Sequence, residues 1–363
     1  MRIGLPREIK PHEHRVALTP LACAELAALG HQVWIEAGAG AGSGYADADY
    51  RLYGLEIAPD AAALYATSDV IVKVKEPIEG DLAYLEPRHL LFSFLHLAPN
   101  RALGERLCRI GLTAFAYETL EVKGRTPVLA PMSLIAGKLA VQIGATLLHQ
   151  PHGGKGLLLG GIDNLERGKV VVLGAGSAGA MACQTAAALG ARVTALDIDP
   201  KRLKALAKSV SGIDALASTP ERIAVEVKTA DLLIGAVMRA GHTAPHLVSR
   251  ADVAAMQAGG AIVDIAIDQG GCIATAHATS YDAPTYVEEG VVHFCVTNMP
   301  GAVPRTASQA LSAAIMPHLK RFLHGRWQAD KALLSALNVA AGEYRHPALI
   351  EEFGAFEHVD AVR

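Results

Sequence analysis

The run KVVVLGAGSAGAMACQTAAALGARVTALDID, residues 169–199, constrains the fold more than any other stretch. An apolar β-type segment ends in Gly174-Ala175-Gly176-Ser177-Ala178-Gly179, an alanine-rich helical segment follows, and a second apolar segment ends at Asp197. In such a strand–turn–helix–strand unit each glycine has its own physical reason. Gly174 allows a tight turn, Gly176 lets the backbone approach a pyrophosphate, and Gly179 lets helix and strand pack closely. The helix N-terminus offers unpaired N–H groups and a positive dipole end to phosphate. The spacing predicts dinucleotide contacts at Gly174, Gly176, Ser177, Ala178 and Gly179. A carboxylate ending the second strand accepts from both ribose hydroxyls and repels a 2′-phosphate, so Asp197 predicts NAD over NADP. Asp199 lies past the expected strand end and is the weaker candidate for that role.

Further β-type runs, ADLLIGAV, AIVDIAID and VVHFCVTNMP, extend this unit. Upstream, HQVWIEA, DVIVKVK, HLLFSFLHL and LTAFAYETL read as strands, and LACAELAALG reads as a helix stopped by Gly30. Strands alternating with helices imply a second parallel sheet. A long helix is predicted from Ser133 as N-cap, with Ala136, Gly137, Ala140 and Gly144 as a small-residue stripe. Another, RTASQALSAAIMPHLKRFL, is predicted with Thr306 as its cap. The C-terminal tail is too short for a domain and is expected to pack on the first. The predicted fold is therefore α/β with two domains. A Rossmann-type NAD-binding domain, residues 129–304, is inserted into a second α/β domain with a parallel sheet, residues 1–128 and 305–363, and 363 residues suit that division.

A net charge of −3 without a Lys/Arg run lacks the footprint of a nucleic-acid binder. A small anionic substrate would need a local cationic pocket. The N-terminus has no signal-like apolar run, and no stretch reads as a membrane span. Five scattered cysteines form no C-x-x-C pair and read as small buried hydrophobes. No His/Cys/carboxylate cluster has metal-ligand spacing, so no metal is expected. A cytoplasmic location is the expectation.

Four further positions carry candidate chemistry. Lys73 and Lys75 share one face of their predicted strand, and period alone does not choose between them. Lys75 lies nearer the carboxyl end, where open α/β sheets place ligands. His96 follows LLFSFL at a strand end, although a single histidine there reads more readily as a structural residue. Asp268 is expected to end the strand AIVDIAID, whereas Asp264 within it reads as structural. Arg15, in the polar segment EIKPHEHRVALTP, reads on its own as a surface arginine.

Together these segments resemble the alanine dehydrogenase family, which is related to the soluble part of nicotinamide nucleotide transhydrogenase. The resemblance is nearly full-length. It runs through GLPREIKPHEHRVALTP, VIVKVKEP, LFSFLHLA, LAPMSLIAG, GGKGLLLGG, VVVLGAGSAG, VDIAIDQGG and DAPTYVEEGVVHFCVTNMPGAVPRTAS. It implies reversible conversion of L-alanine, water and NAD+ to pyruvate, ammonium and NADH, in a homohexamer. By motif, Arg15 and Lys75 would bind the substrate carboxylate and carbonyl, and His96 and Asp268 would act as acid/base groups. Cofactor contacts would further include Ser133, Asp197, Arg202, Ser218, Val237, Met238, Ile265, Ala266, Ile267, Asp268, Val296, Thr297, Asn298 and Met299. Two segments depart from the family pattern. AVMRAGHTAPHLV lacks the usual proline and lysine, and GGIDNLERGK lacks the expected proline-containing turn. Alternatives are a transhydrogenase NAD(H)-binding component and a non-catalytic NAD sensor.

Overall fold

The computed structural model describes residues 1–237, 243–354 and 356. These form two units. The first takes in Met1–Met132 and the described residues from Gly301 onward, and the second the described residues between Ser133 and Pro300.

The first unit holds strands β1 (Arg2–Leu5), β2 (Gln32–Glu36), β3 (Glu56–Ala58), β4 (Val70–Val72), β5 (Leu90–Ser93) and β6 (Thr113–Ala116). The second holds β7 (Lys169–Leu173), β8 (Arg192–Asp197), β9 (Asp214–Ala217), β10 (Leu232–Gly235), β11 (Ala261–Asp264), β12 (Thr285–Glu288) and β13 (Val291–Phe294). The chain then returns to the first unit with β14 (Leu337–Ala340) and β15 (Glu343–Tyr344).

The first sheet runs β3-β2-β1-β4-β5-β6-β14-β15, parallel from β3 to β6, with β14 antiparallel to β6. The second runs β9-β8-β7-β10-β11-β13-β12, parallel except for the edge strand β12. Counting parallel strands alone, both cores are doubly wound in the order 3-2-1-4-5-6. Their strand order reverses between β1 and β4 in one unit and between β7 and β10 in the other. Ligands of such sheets sit at the carboxyl ends of strands beside that reversal. Central strands such as LLIG of β10 are buried throughout and read as unbroken apolar runs, as parallel strands covered on both faces do.

Several sequence expectations are corrected. The long helix is Ala130–Leu147, so Ser133 lies inside it rather than at its cap. The helix Pro304–Leu323 starts ahead of Thr306, where Pro304 supplies a preset φ at the first helical position. The Ala130–Leu147 helix is also long and apolar enough, by length and composition, to cross a membrane. Its two glycines pack inside the second unit: added Cβ atoms would lie 2.2 Å from the Ala178 carbonyl oxygen at Gly137 and 2.4 Å from Leu232 at Gly144. Strand β4 stops at Val72, so neither Lys73 nor Lys75 is a strand residue. Asp268 does not end a strand either. It sits in a 3-10 turn, Ile265–Gln269, capped by Asp264, whose carboxylate accepts the Ala266 N–H at 2.9 Å.

Candidate active site

In the second unit the glycine turn follows β7 beside the strand-order reversal. Gly174 has φ 96°, and a Cβ on it would come within 2.7 Å of the Ala236 carbonyl oxygen and 3.3 Å of Val237. A Cβ on Gly179 would lie 1.8 Å from the Gly174 carbonyl oxygen. Protein packing thus explains both glycines. It does not explain Gly176, where a Cβ would meet no atom of the described residues within 4 Å apart from its chain neighbours. The remaining reason for that glycine is close approach of a ligand to the backbone. The helix Ser177–Ala188 begins there without a side-chain cap, which leaves its first N–H groups to an anion.

Asp197 ends β8 and is buried. Its carboxylate accepts the N–H of Ala175 at 2.6 Å and that of Asp199 at 2.8 Å, so it is fixed against the glycine turn. The Ser218 N–H donates to the Asp197 carbonyl at 3.0 Å. Arg202, largely exposed, reaches both Asp197 (3.8 Å) and Asp199 (3.6 Å). Asp199 is tied into its own helix as N-cap, accepting from Lys201 N–H. The glycine turn, Asp197, Arg202, Ser218 and Val237 are therefore brought together. A second group forms around the 3-10 turn: Asp268 accepts the Asn298 N–H at 3.0 Å, and Asn298 holds φ 63° between exposed Thr297 and buried Met299. Val296 is buried, as are Ala266 and Ile267, while Ile265 is partly covered. Ser133 is half-buried on its helix, and Met238 lies outside the described residues.

In the first unit three chain segments follow carboxyl ends of strands. Arg15 comes from the long connection after β1. It is 2% exposed, which corrects its reading as a surface residue. Its guanidinium grips buried Glu13 with a fork of two hydrogen bonds, one of them 2.7 Å, and its Nη1 lies 3.3 Å from Met132 Sδ. Lys75 follows β4 and is 5% exposed, with Nζ 3.5 Å from Glu76. Glu76 also pairs with Lys10. Burial works to raise the Glu76 carboxyl, but the charges of Lys75, His96 and Lys10 outweigh it and hold the group below its usual range. Glu76 is thus the shared anionic neighbour of Lys75 and His96.

His96 follows β5 at φ 47°, a left-handed conformation that costs a non-glycine residue about 1–3 kcal/mol. Glu118, just past β6, holds it there. Its carboxylate accepts the His96 N–H at 2.7 Å and the Leu95 N–H at 3.2 Å. The His96 ring stacks on Phe94, 5.8 Å between centroids. A cavity of about 450 Å³ opens in this unit, lined by Arg7, Glu8, Lys10, Glu13, His14 and Arg15 among others.

Sequence reasoning missed the carboxylates Glu8, Glu13, Glu76 and Glu118. Glu13 and Glu76 had a local signal, one or two residues from a candidate cation. Glu8 and Glu118 act on segments far along the chain, and only their positions just after strand ends hinted at a role. Among the described residues no group of three or more His, Cys, Asp or Glu could hold a metal ion.

Two family models match the chain: "Alanine dehydrogenase/PNT, N-terminal domain" over residues 4–136 and "Alanine dehydrogenase/PNT, C-terminal domain" over residues 140–347. An alanine dehydrogenase of Halomonas elongata is 42% identical over 367 aligned positions, covering 99% of each chain. A solved L-alanine dehydrogenase structure superposes with a TM-score of 0.91 at 45% identity, covering 97% of this chain and 99% of that one. A solved transhydrogenase from Sinorhizobium meliloti reaches a TM-score of 0.82 at 26% identity, covering 96% of this chain and 100% of that one.

Proposed function

Because the chain belongs to the alanine dehydrogenase/PNT family, we propose that it catalyses the reversible, NAD-dependent oxidative deamination of L-alanine to pyruvate and ammonium. The observation that carries this reading is the set Arg15, Lys75 and His96. Arg15 and Lys75 follow carboxyl ends of the two strands that flank one strand-order reversal and His96 that of the next strand, β5, and each is held by a carboxylate.

The roles follow from the chemistry. Arg15 offers its guanidinium cation to the substrate carboxylate, while Glu13, bonded to its Nε and Nη2, holds it in place. Lys75 places a buried cation at the substrate carbonyl oxygen, where negative charge develops. His96 carries protons as water adds to the imine and as the carbinolamine loses ammonia. Asp268, fixed by the Asn298 N–H, holds the substrate nitrogen and the incoming water. The cofactor, when bound, accepts the hydride from the substrate Cα. Its pyrophosphate would lie on the Gly174–Gly179 turn, with Asp197 at the ribose. The expected absence of a 2′-phosphate rests on Asp197, whose buried carboxylate would repel it. Family likeness supports a homohexamer and a cytoplasmic location as parts of the same proposal.

Purified protein mixed with NADH, ammonium and pyruvate should consume NADH, and NADPH should serve much more poorly. Consumption with another 2-oxo acid but not pyruvate would overturn the alanine assignment. NADH binding without turnover of any oxo acid would favour a hydride-relay component or a sensor. Equal rates with NADPH would defeat the Asp197 argument.

A further inference from the structure

Strand β4 runs between β1 and β5, yet beyond Val72 it keeps only one of these partners. On the β5 side the ladder continues: the Lys73 N–H donates to the Phe92 carbonyl at 2.9 Å, and the Val74 carbonyl accepts the Phe94 N–H at 3.0 Å. On the other side the place of the β1 backbone is taken by a side chain. Glu8, three residues past β1, accepts the Val74 N–H at 2.7 Å through Oε1. Its Oε2 lies 3.2 Å from the ammonium of Lys73. Lys73 is 1% exposed and also pairs with Asp81 at 3.0 Å. Asp81 in turn accepts the Ile78 N–H at 3.1 Å and the Tyr65 hydroxyl at 2.9 Å. Residues 73–78 are therefore pinned at both ends by carboxylates that share one buried ammonium, and Lys75 lies between the pins.

We propose that Glu8, with Lys73, is a positioning residue that sets where Lys75 presents its cation relative to Arg15. This rests on the reading of Lys75 and Arg15 as substrate ligands. Arg15 comes from the same connection after β1 as Glu8, so one carboxylate ties the segment that carries Arg15 to the segment that carries Lys75. A carboxylate substrate held by one cation and a carbonyl oxygen held by the other depend on that spacing, and misplacement of about 1 Å is costly to such a site. Lys73 is accordingly an internal anchor and not a second substrate ligand.

Glu8→Ala removes the Val74 pin and the Lys73 ion pair with Glu8 while leaving the Asp81 pin, whereas Glu8→Gln keeps an oxygen for the Val74 N–H and loses only the charge. Steady-state kinetics with pyruvate, ammonium and NADH, together with an NADH titration, separate positioning from folding. The expected result is a KM for pyruvate raised about 10- to 100-fold in Glu8→Ala, the size of one lost hydrogen bond to a charged group. Glu8→Gln should recover part of this but keep a raised KM, and the Kd for NADH should stay within about twofold in both. If Glu8→Ala does not fold, a KM raised in Glu8→Gln with unchanged NADH binding supports the inference. A wild-type KM in Glu8→Gln in that case overturns it. Wild-type KM in both variants, or parallel loss of NADH and pyruvate affinity, also overturns it. A wild-type protein without pyruvate turnover would sink the underlying reading and the inference together. Normal wild-type turnover with an unmoved KM in the variants would sink the inference alone.

Discussion

Glu118 accepts the backbone N–H of His96 at 2.7 Å while His96 holds φ 47°. The pairing is directional: a carboxylate after β6 stabilises a left-handed residue after β5, and the ring is thereby aimed by the backbone. Glu118→Ala should let His96 relax to negative φ and lower kcat about 10- to 100-fold, part of the roughly 100- to 10,000-fold that a positioned general acid–base group contributes. NADH affinity should not change, and Glu118→Gln should retain part of the activity through its remaining acceptor oxygen. The check is kcat across pH for the three proteins. Wild-type kcat in Glu118→Ala would show that His96 needs no such support.

The glycine turn offers a paired test in which the same added methyl has opposite consequences. At Gly179 a Cβ would sit 1.8 Å from the Gly174 carbonyl oxygen, so Gly179→Ala must distort the turn or the helix packing. At Gly176 an added Cβ would meet no atom of the described residues within 4 Å apart from its chain neighbours, so Gly176→Ala should fold normally and lose NADH binding alone. Thermal unfolding and NADH titration of both variants check this. Normal NADH affinity in a folded Gly176→Ala protein would move the pyrophosphate away from this turn.

The glycine run was readable in sequence because its spacing is a local pattern, and the clash that Gly179 avoids lies only at Gly174, although Gly174 itself avoids distant Ala236. Asp197 was readable because it ends the next strand of the same strand–turn–helix–strand unit, from where it meets the turn through Ala175. The lysines were not fully readable. Alternation extends the strand through Lys75, but the strand ends at Val72 because Glu8, 66 residues away, replaces a ladder partner. No local pattern encodes that exchange. Arg15 looked solvated because its segment is polar, while Glu13 supplies the partner that makes its burial tolerable. Asp268 was placed at a strand end because AIVDIAID is apolar apart from its two aspartates. The capping carboxylate of Asp264 ends the strand there and turns the chain halfway through what read as strand. The short strands β1 and β3, three or four residues long, carry too few positions for a period to register.

Burial pushes the Glu8 carboxyl up to about 6, helped by Glu13 and Asp81, with Lys73 opposing. Lys73 itself is raised: burial pulls it down, but Glu8 and Asp81 outweigh that. Folded Glu8 thus binds its proton more tightly than unfolded Glu8. Its contribution to stability is fully present below the unfolded pKa, about 4.3, and is lost as pH rises through about 6. The unfolding free energy of wild type minus that of Glu8→Gln should therefore fall between pH 4 and 6, by on the order of 2 kcal/mol. Asp264, also buried and raised to about 6, is present in both proteins and cancels in the difference. Urea midpoints at several pH values measure it, and a difference that rises with pH would reverse the assignment.

Lys73 and Lys75 are two residues apart, both buried, and their replacement should fail in different ways. Lys75→Ala removes the cation proposed for the substrate carbonyl. Turnover with pyruvate should fall about 100- to 1,000-fold, as when one such electrostatic donor is lost, while the fold and NADH affinity persist. Lys73→Ala leaves Glu8 and Asp81 facing each other without their shared ammonium. Breaking a buried pair by removing one partner costs about 3–5 kcal/mol, so the variant should unfold at markedly lower urea concentration. Any folded fraction should keep part of its kcat. Denaturation curves and initial rates on both variants decide between the two lysines. A stable Lys73→Ala protein without turnover, beside an active Lys75→Ala protein, would exchange their roles and place the substrate cation one pleat deeper than the switch-point argument puts it.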